Sequence, residues 1–128
     1  MSSTPRTVLI VEDEALIAMD IEMQLQDAGL ETIVTSTIDE AQRVLASRKV
    51  DLAVLDYSLR DGAKTTPVAA ALRELRIPFI VCSGSQFNDM AAAFVGAPVA
   101  TKPFRGDILR EAVMSVVEGG SLERGSLS

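Results

Sequence analysis

The sequence contains no histidine and no tryptophan, and its single cysteine is Cys82. Without histidine, the chain cannot supply Ser-His-Asp or Cys-His catalysis or a histidine-containing zinc site. One cysteine excludes an internal disulfide and an all-cysteine metal site. A lone cysteine fits a reducing compartment, and the sequence has neither an apolar run of ~18 residues nor a signal peptide. We therefore expect a cytoplasmic protein without a membrane segment, in which Cys82 packs in the core.

The charge balance limits the function further. The net charge is −6 and no run of Lys or Arg is present. Nucleic-acid binding depends on clustered basic side chains, so this balance argues against a nucleic-acid partner. The groups left for chemistry are carboxylates, hydroxyls, lysines and backbone amides, a set that suits hard cations and phosphoryl groups.

Apolar runs alternate with amphipathic segments along nearly the whole chain. The runs predict buried strands, and the segments between them have helical periodicity. This alternation predicts an α/β fold of flavodoxin-like type, a doubly wound, five-stranded parallel sheet of order 2-1-3-4-5 with five helices. We expect one domain over residues 1–118, followed by a flexible tail over residues 119–128. The predicted strands are 7–11, 31–35, 51–58, 79–82 and 99–101, and the predicted helices are 15–28, 38–47, 66–76, 88–94 and 106–118.

The first predicted helix carries two apolar stripes. Ile17 and Ile21 begin one stripe, and Leu16, Met19 and Met23 form a second stripe that is offset from the first. The favoured interpretation is a wide surface that faces the core and includes both stripes. The alternative is that the second stripe is exposed and docks a partner helix.

Charged and hydroxyl residues stand at the ends of four predicted strands. Glu12 and Asp13 directly follow strand 1, and Asp56 ends the apolar part of strand 3. Ser83 follows strand 4, and Lys102 follows strand 5. The carboxyl ends of parallel strands meet at the edge where such sheets bind ligands. We therefore expect these five side chains to converge.

Such a cluster suits phosphoryl transfer. Neighbouring carboxylates repel one another by on the order of 4 kcal/mol per pair at ~4 Å and an effective dielectric near 20, so a cation is expected among them. Carboxylates form an open Mg²⁺ site that accepts a phosphate oxygen. The central carboxylate, Asp56, would be the nucleophile. The Ser83 hydroxyl and the Lys102 ammonium would hold the remaining phosphoryl oxygens.

A magnesium-dependent phosphatase with an aspartate nucleophile is an alternative with a similar sheet. That chemistry usually requires a second aspartate two residues after the nucleophile, as acid and base. Ser58 occupies this position, which argues against a phosphatase.

The chain resembles the receiver domain of two-component response regulators from residue 7 to about residue 118. The matching motifs are Val-Leu-Ile-Val-Glu-Asp-Glu at 8–14, Asp-Leu-Ala-Val-Leu-Asp at 51–56, the hydroxyl of Ser83, and Lys-Pro-Phe at 102–104. No single motif is specific, but together and in this order they are.

The resemblance implies a role for each residue of the cluster. Asp56 would be the phospho-acceptor, Ser83 the switch hydroxyl and Lys102 the partner of the phosphoryl group. The implied magnesium ligands are Asp13, Asp56 and the backbone carbonyl of Ser58, with Glu12 assisting. The resemblance also implies a histidine kinase as the partner that supplies the phosphoryl group.

The sequence departs from the usual receiver pattern at two points. The loop over residues 59–66 contains no proline, and Val99 occupies the usual place of an aromatic switch residue. Residues 78–84 are similar to an alphaproteobacterial subclass with a Phe-Ala-Thr-Gly type motif, whose members are often stand-alone and partnered with HWE-type kinases. We expect a stand-alone receiver that signals through phosphorylation-dependent partner binding or acts as a phosphate sink. The alternative is a degenerate receiver, an interaction module that is never phosphorylated.

Overall fold

A computed structural model describes residues 6–59, 62–83, 94–101, 111 and 113–116. Five parallel strands form one sheet in the order β2-β1-β3-β4-β5, as predicted. A parallel sheet in this order needs crossover segments on both faces, which the amphipathic segments provide. The strands are β1 (Thr7–Val11), β2 (Glu31–Thr35), β3 (Leu52–Asp56), β4 (Phe79–Ser83) and β5 (Val99–Thr101).

The central strands alternate their side chains between two apolar layers. Leu9 and Val11 of β1 belong to one core cluster, whereas Val8 and Ile10 belong to the other. Successive side chains of a strand point to opposite faces, so a strand that is apolar throughout is buried on both sides. Strand β2 is more polar and lies at the edge, as predicted from its composition. Cys82 is fully buried in the second cluster, as expected.

Three helices have described bounds, α1 (Ala15–Asp27), α2 (Ile38–Ser47) and α3 (Thr66–Glu74). Helix α1 packs on the second cluster, and α2 and α3 pack on the first, so the sheet is covered on both faces. Helix α2 begins with Thr37, whose side-chain oxygen accepts a hydrogen bond from the Glu40 N–H. The Ser36 N–H in turn donates to the Glu40 carboxylate, which lowers the pKa of that exposed side chain.

The two later helices are described only in part. Of the predicted fourth helix, residues 88–93 lie outside the described residues. Of the predicted fifth helix, residues 111 and 113–116 are helical, and Val113 is buried in the second cluster. The predicted tail, residues 119–128, also lies outside the described residues.

Several predicted boundaries differ from the structure by one or two residues. Strand β3 begins at Leu52 because the Asp51 carboxylate accepts a hydrogen bond from the Thr7 N–H at 2.8 Å and bends the chain before the strand. Helix α1 ends at Asp27, and Gly29 follows with φ +89°, a conformation that suits glycine. Helix α3 ends at Glu74, two residues before the predicted end.

The second stripe of α1 is exposed, so the favoured prediction of a wide core-facing surface is wrong. Leu16 is 81% exposed, Met19 54% and Met23 60%. Burial is limited to one narrow side of the helix, where Ile21 and Leu25 are inaccessible to solvent. No helix within the described part of the chain is long and apolar enough to cross a membrane.

Candidate functional site

Three carboxylates meet at the carboxyl edge of the sheet. Glu12, Asp13 and Asp56 each offer one carboxylate oxygen, and these three oxygens lie within 4.8 Å of one another. Strands β1 and β3 are paired, with Val11 opposite Leu55, so the residues that follow in each strand emerge side by side. The predicted convergence of these three acids is therefore confirmed.

The end of β1 holds Glu12 in a buried position. Its side chain is only 3% exposed, and its N–H donates to the Thr35 carbonyl at 3.0 Å. One Glu12 carboxylate oxygen accepts a hydrogen bond from the Glu14 N–H at 3.2 Å. The buried Thr35 hydroxyl donates to the Ile10 carbonyl at 2.9 Å, which binds the edge strand to the end of β1. These bonds fix the direction in which the chain leaves β1.

The end of β3 is held by a residue that the sequence analysis did not single out. The Thr65 side chain is fully buried, and its hydroxyl donates to the Asp56 carbonyl at 2.8 Å. The Thr65 N–H donates to the Tyr57 carbonyl at 3.0 Å. The Thr66-Pro67 sequence predicts Thr66 as the N-cap of α3. This prediction is wrong, because Thr65 is the N-cap residue and its hydroxyl is directed to β3 rather than to its own helix.

The chain folds back directly after Asp56. Ser58 forms an antiparallel bridge with Lys64, and the Leu59 N–H donates to the Ala63 carbonyl. The ammonium of Lys64 lies 5.4 Å from the ring centroid of Tyr57, a cation–π distance. Ser58, an expected magnesium ligand through its carbonyl, is therefore the first residue of a closed turn.

Tyr57 packs against the core rather than facing outward. Its ring meets the ring of Phe94 edge-on, with centroids 5.4 Å apart and an interplanar angle of 68°. Phe94 is only 2% exposed, and Tyr57 lies against the first core cluster. Tyr57 directly follows Asp56 and could flank the site, but these contacts make it a packing residue.

Ser83 and Lys102 were the other two expected members of the cluster. Ser83 ends β4, is only 7% exposed, and directly follows Cys82, the residue that pairs with Asp56. Thr101, the last residue of β5, pairs with Ser83. Lys102 follows Thr101 in the sequence but lies outside the described residues.

The donor set fits a magnesium ion. All three clustered side chains offer carboxylate oxygens, which hard divalent cations prefer over nitrogen and sulfur ligands. Two of them, Glu12 and Asp56, are more than nine-tenths buried, where the repulsion between like charges is weakly screened. A cation among these oxygens would remove that repulsion.

The comparison with protein families identifies the group to which this site belongs. The family model for the response regulator receiver domain matches residues 8–114. The chain belongs to this family. The motifs on which the resemblance was based, from residue 8 through Ser83, lie within the matched range of this receiver domain.

Individual relatives and solved structures agree with this assignment. The receiver domain is 33% identical over 106 residues to the phosphate regulon transcriptional regulatory protein PhoB of Pseudomonas aeruginosa, covering 77% of this chain and 46% of PhoB. It matches the solution structure of SdrG from Sphingomonas melonis at 35% identity and a TM-score of 0.77, covering 91% of this chain and 99% of SdrG. A response regulator receiver protein from Sinorhizobium medicae matches at 27% identity and a TM-score of 0.82, covering 92% of this chain and 98% of that one. Curated relatives such as PhoB are longer proteins, and the chain spans less than half of their length.

Sequence reasoning found the acids of this receiver but missed the residues that hold their backbone. The sequence predicts Thr35 at the end of strand 2 and Thr65 in the loop before the third helix, and it gives neither residue a role at the site. A threonine that follows a strand or precedes a helix is common, so its type alone carries little information. The usable signal for Thr65 was the Thr-Thr-Pro sequence at 65–67, which offers two possible caps for one helix.

Proposed function

We propose that this receiver accepts a phosphoryl group from a histidine kinase onto Asp56. The observation that carries the proposal is the cluster of three carboxylate side chains within 4.8 Å at the carboxyl edge of the sheet. Asp56 is the last residue of β3, the central strand of the sheet, and Glu12 and Asp13 follow the neighbouring strand β1. The chain has no histidine, so the phosphohistidine must come from another protein.

The transfer needs few protein groups. An oxygen of the Asp56 carboxylate forms a bond to phosphorus while the bond from phosphorus to the imidazole nitrogen of the donor breaks, and that nitrogen keeps the electron pair. The product on Asp56 is an acyl phosphate, which water can later hydrolyse to carboxylate and inorganic phosphate. Glu12, Asp13, Asp56 and the Ser58 carbonyl would hold Mg²⁺, which neutralises charge on the phosphoryl oxygens when it is bound.

Ser83 and Lys102 would bind the phosphoryl group once it is on Asp56. The Ser83 hydroxyl is a donor at the end of the neighbouring strand, and the Lys102 ammonium would pair with a phosphoryl oxygen. Binding of Ser83 would bias the following segment toward a second state. That state either binds a downstream partner differently or returns phosphate to solvent, in which case the protein drains its kinase.

The exposed face of α1 is the surface on which we propose that the kinase docks. Leu16, Met19 and Met23 follow the spacing i, i+3, i+7 of a helical stripe and are each more than half exposed. Helix α1 contains three acids and no Lys or Arg, so a complementary partner helix would carry apolar and basic side chains. The helix begins two residues after Asp13, so a partner on this face lies beside the acid cluster.

Phosphotransfer with site variants tests the proposed function. Wild type, Asp56→Asn and Asp39→Asn would be incubated with a radiolabelled, phosphorylated histidine kinase and Mg²⁺. Asp39 is an exposed aspartate of α2 and serves as the matched control. We expect label on wild type and Asp39→Asn and none on Asp56→Asn. Label that survives in Asp56→Asn contradicts the acceptor assignment.

The same experiment, together with assays of Mg²⁺ binding and of phosphate-ester hydrolysis, separates the alternatives. A degenerate receiver would take no label from any kinase and would not bind Mg²⁺, although the acids for both are present. A phosphatase would hydrolyse small phosphate esters over many turnovers, whereas a receiver would not. A panel of kinases that includes the HWE type would identify the cognate partner, because phosphotransfer to a cognate receiver is fastest.

A further inference from the structure

We propose that Thr65 is a positioning residue for the magnesium site. Its hydrogen bonds to the main chain hold the backbone of residues 56–58 in place. The inference rests on the proposed function, because it concerns the same acidic site. Thr65 touches neither the expected metal nor the phosphoryl group. It would act through the main chain that carries the Asp56 carboxylate and the Ser58 carbonyl.

The hydrogen bonds of Thr65 converge on the last residue of β3 and on the residue that follows it. Its hydroxyl donates to the Asp56 carbonyl at 2.8 Å and lies 3.2 Å from the Tyr57 carbonyl. Its N–H donates to the Tyr57 carbonyl at 3.0 Å. The peptide units on both sides of Tyr57 are therefore held by one side chain and one amide of the same residue. The next carbonyl along the chain is that of Ser58.

An ordinary capping role does not explain these bonds. Thr65 occupies the N-cap position of α3, yet its hydroxyl forms no bond to an N–H of that helix. A threonine at this position normally accepts such a bond. Here the hydroxyl is fully buried and donates away from the helix. The arrangement leaves the helix without a side-chain cap and gives the acceptor strand an anchor.

The loop after Asp56 depends on such an anchor. Residues 59–66 contain no proline that would restrict the backbone. The described part of the loop is closed by the Ser58–Lys64 bridge and by a turn at Gly62, where φ is +88°. Thr65 directly follows this bridge, so its two carbonyl contacts fix the closed turn to the end of β3. Without the hydroxyl, Thr65 would hold this backbone through its N–H alone, and the Ser58 carbonyl would be oriented less firmly.

The Mg²⁺ affinity of Thr65 variants distinguishes a positioning role of this residue from a contribution to folding stability alone. Thr65→Val keeps the shape of the side chain and removes the donor, Thr65→Ser keeps the donor, and Thr66→Val is the same change one residue later. Tyr57 is the only tyrosine of the chain, which has no tryptophan, and it directly follows Asp56; its intrinsic fluorescence is the probe for Mg²⁺ binding. We expect Thr65→Val to weaken Mg²⁺ binding about tenfold, which is the lower end of the loss in affinity when a residue that orients a metal ligand is replaced. Thr65→Ser and Thr66→Val should remain within about twofold of wild type.

Labelling by a phosphodonor gives a second readout. Thr65→Val should need a higher Mg²⁺ concentration for half-maximal labelling, whereas its rate at saturating Mg²⁺ should approach that of wild type. Thr65→Ala, which also removes the donor, replaces the valine variant if that variant does not fold. Unchanged Mg²⁺ affinity in folded Thr65→Val, while wild type is labelled, overturns this inference alone. Absence of Mg²⁺ binding and labelling in wild type overturns the proposed function, and this inference with it.

Discussion

At the scale of single residues, the site concentrates like charge in a small volume. Two of its three carboxylates belong to buried residues, and all three lie within 4.8 Å of one another. Such an arrangement destabilises a fold unless a positive charge offsets the repulsion. The proposed Mg²⁺ would supply this offset.

Asp13→Asn should separate these two effects. Without divalent cations, we expect the variant to have a free energy of unfolding about 1 kcal/mol higher than wild type, because one of three repelling charges is removed and its exposed part is screened. At a Mg²⁺ concentration of a hundred times the dissociation constant, wild type should gain about 2.7 kcal/mol and the variant much less. Urea unfolding with and without Mg²⁺ measures both, with Asp39→Asn as control. Equal gains in wild type and Asp13→Asn would exclude Asp13 as a ligand.

A second residue-scale prediction concerns the end of α3. Arg76 has φ +62°, the left-handed region that costs an L-residue about 1–2 kcal/mol. The Ile77 N–H donates back to the Leu72 carbonyl across this residue, a helix ending that usually has glycine at the left-handed position. We expect Arg76→Gly to raise the free energy of unfolding by about 1 kcal/mol. Leu75→Gly, where φ is −84°, should give no gain. Destabilisation by Arg76→Gly in urea would contradict this account of the turn.

At the scale of elements, α1 has a narrow buried side and a wide exposed one. Its buried residues anchor it on the sheet, while Leu16, Met19 and Met23 remain exposed. Exposed apolar side chains in a row mark an interaction surface more often than isolated ones do. Because α1 begins two residues after Asp13, a protein bound to this surface would lie close to the acids at which we propose phosphotransfer.

Variants of the α1 stripe should affect the kinase and not the chemistry. We expect Met19→Gln combined with Met23→Gln to raise the KM for a phosphorylated kinase about tenfold or more, because apolar contact area is lost. Labelling by a small phosphodonor should be unchanged, since the acid cluster is intact. Leu75→Gln, an equally exposed apolar residue at the end of α3, is the matched control. A normal KM in the double variant would exclude this face as the docking surface.

At the scale of the whole molecule, the fold could be predicted from the alternation of apolar runs and amphipathic segments. The strand order follows from the rules for parallel sheets, and three strands of the sheet are apolar from end to end or nearly so. The meeting of Glu12, Asp13 and Asp56 was predictable for the same reason, because adjacent parallel strands bring their ends together.

The remaining features depend on contacts that no local pattern specifies. The burial of Thr65 depends on how the loop after Asp56 folds back, and two neighbouring threonines offered the same local signal. The exposure of Leu16 and Met19 depends on how α1 rotates on the sheet, whereas its sequence allowed a wide buried face. The short β3 depends on the bond between Asp51 and Thr7, which are distant in sequence.

The most direct test of the account is the location of the phosphoryl group. Reduction of the phosphorylated receiver with borohydride converts an aspartyl phosphate to homoserine, which mass spectrometry of peptides assigns to one residue. The account predicts homoserine at position 56, formed only when Mg²⁺ is present during phosphorylation. Homoserine at another position, or the same yield without Mg²⁺, would contradict it.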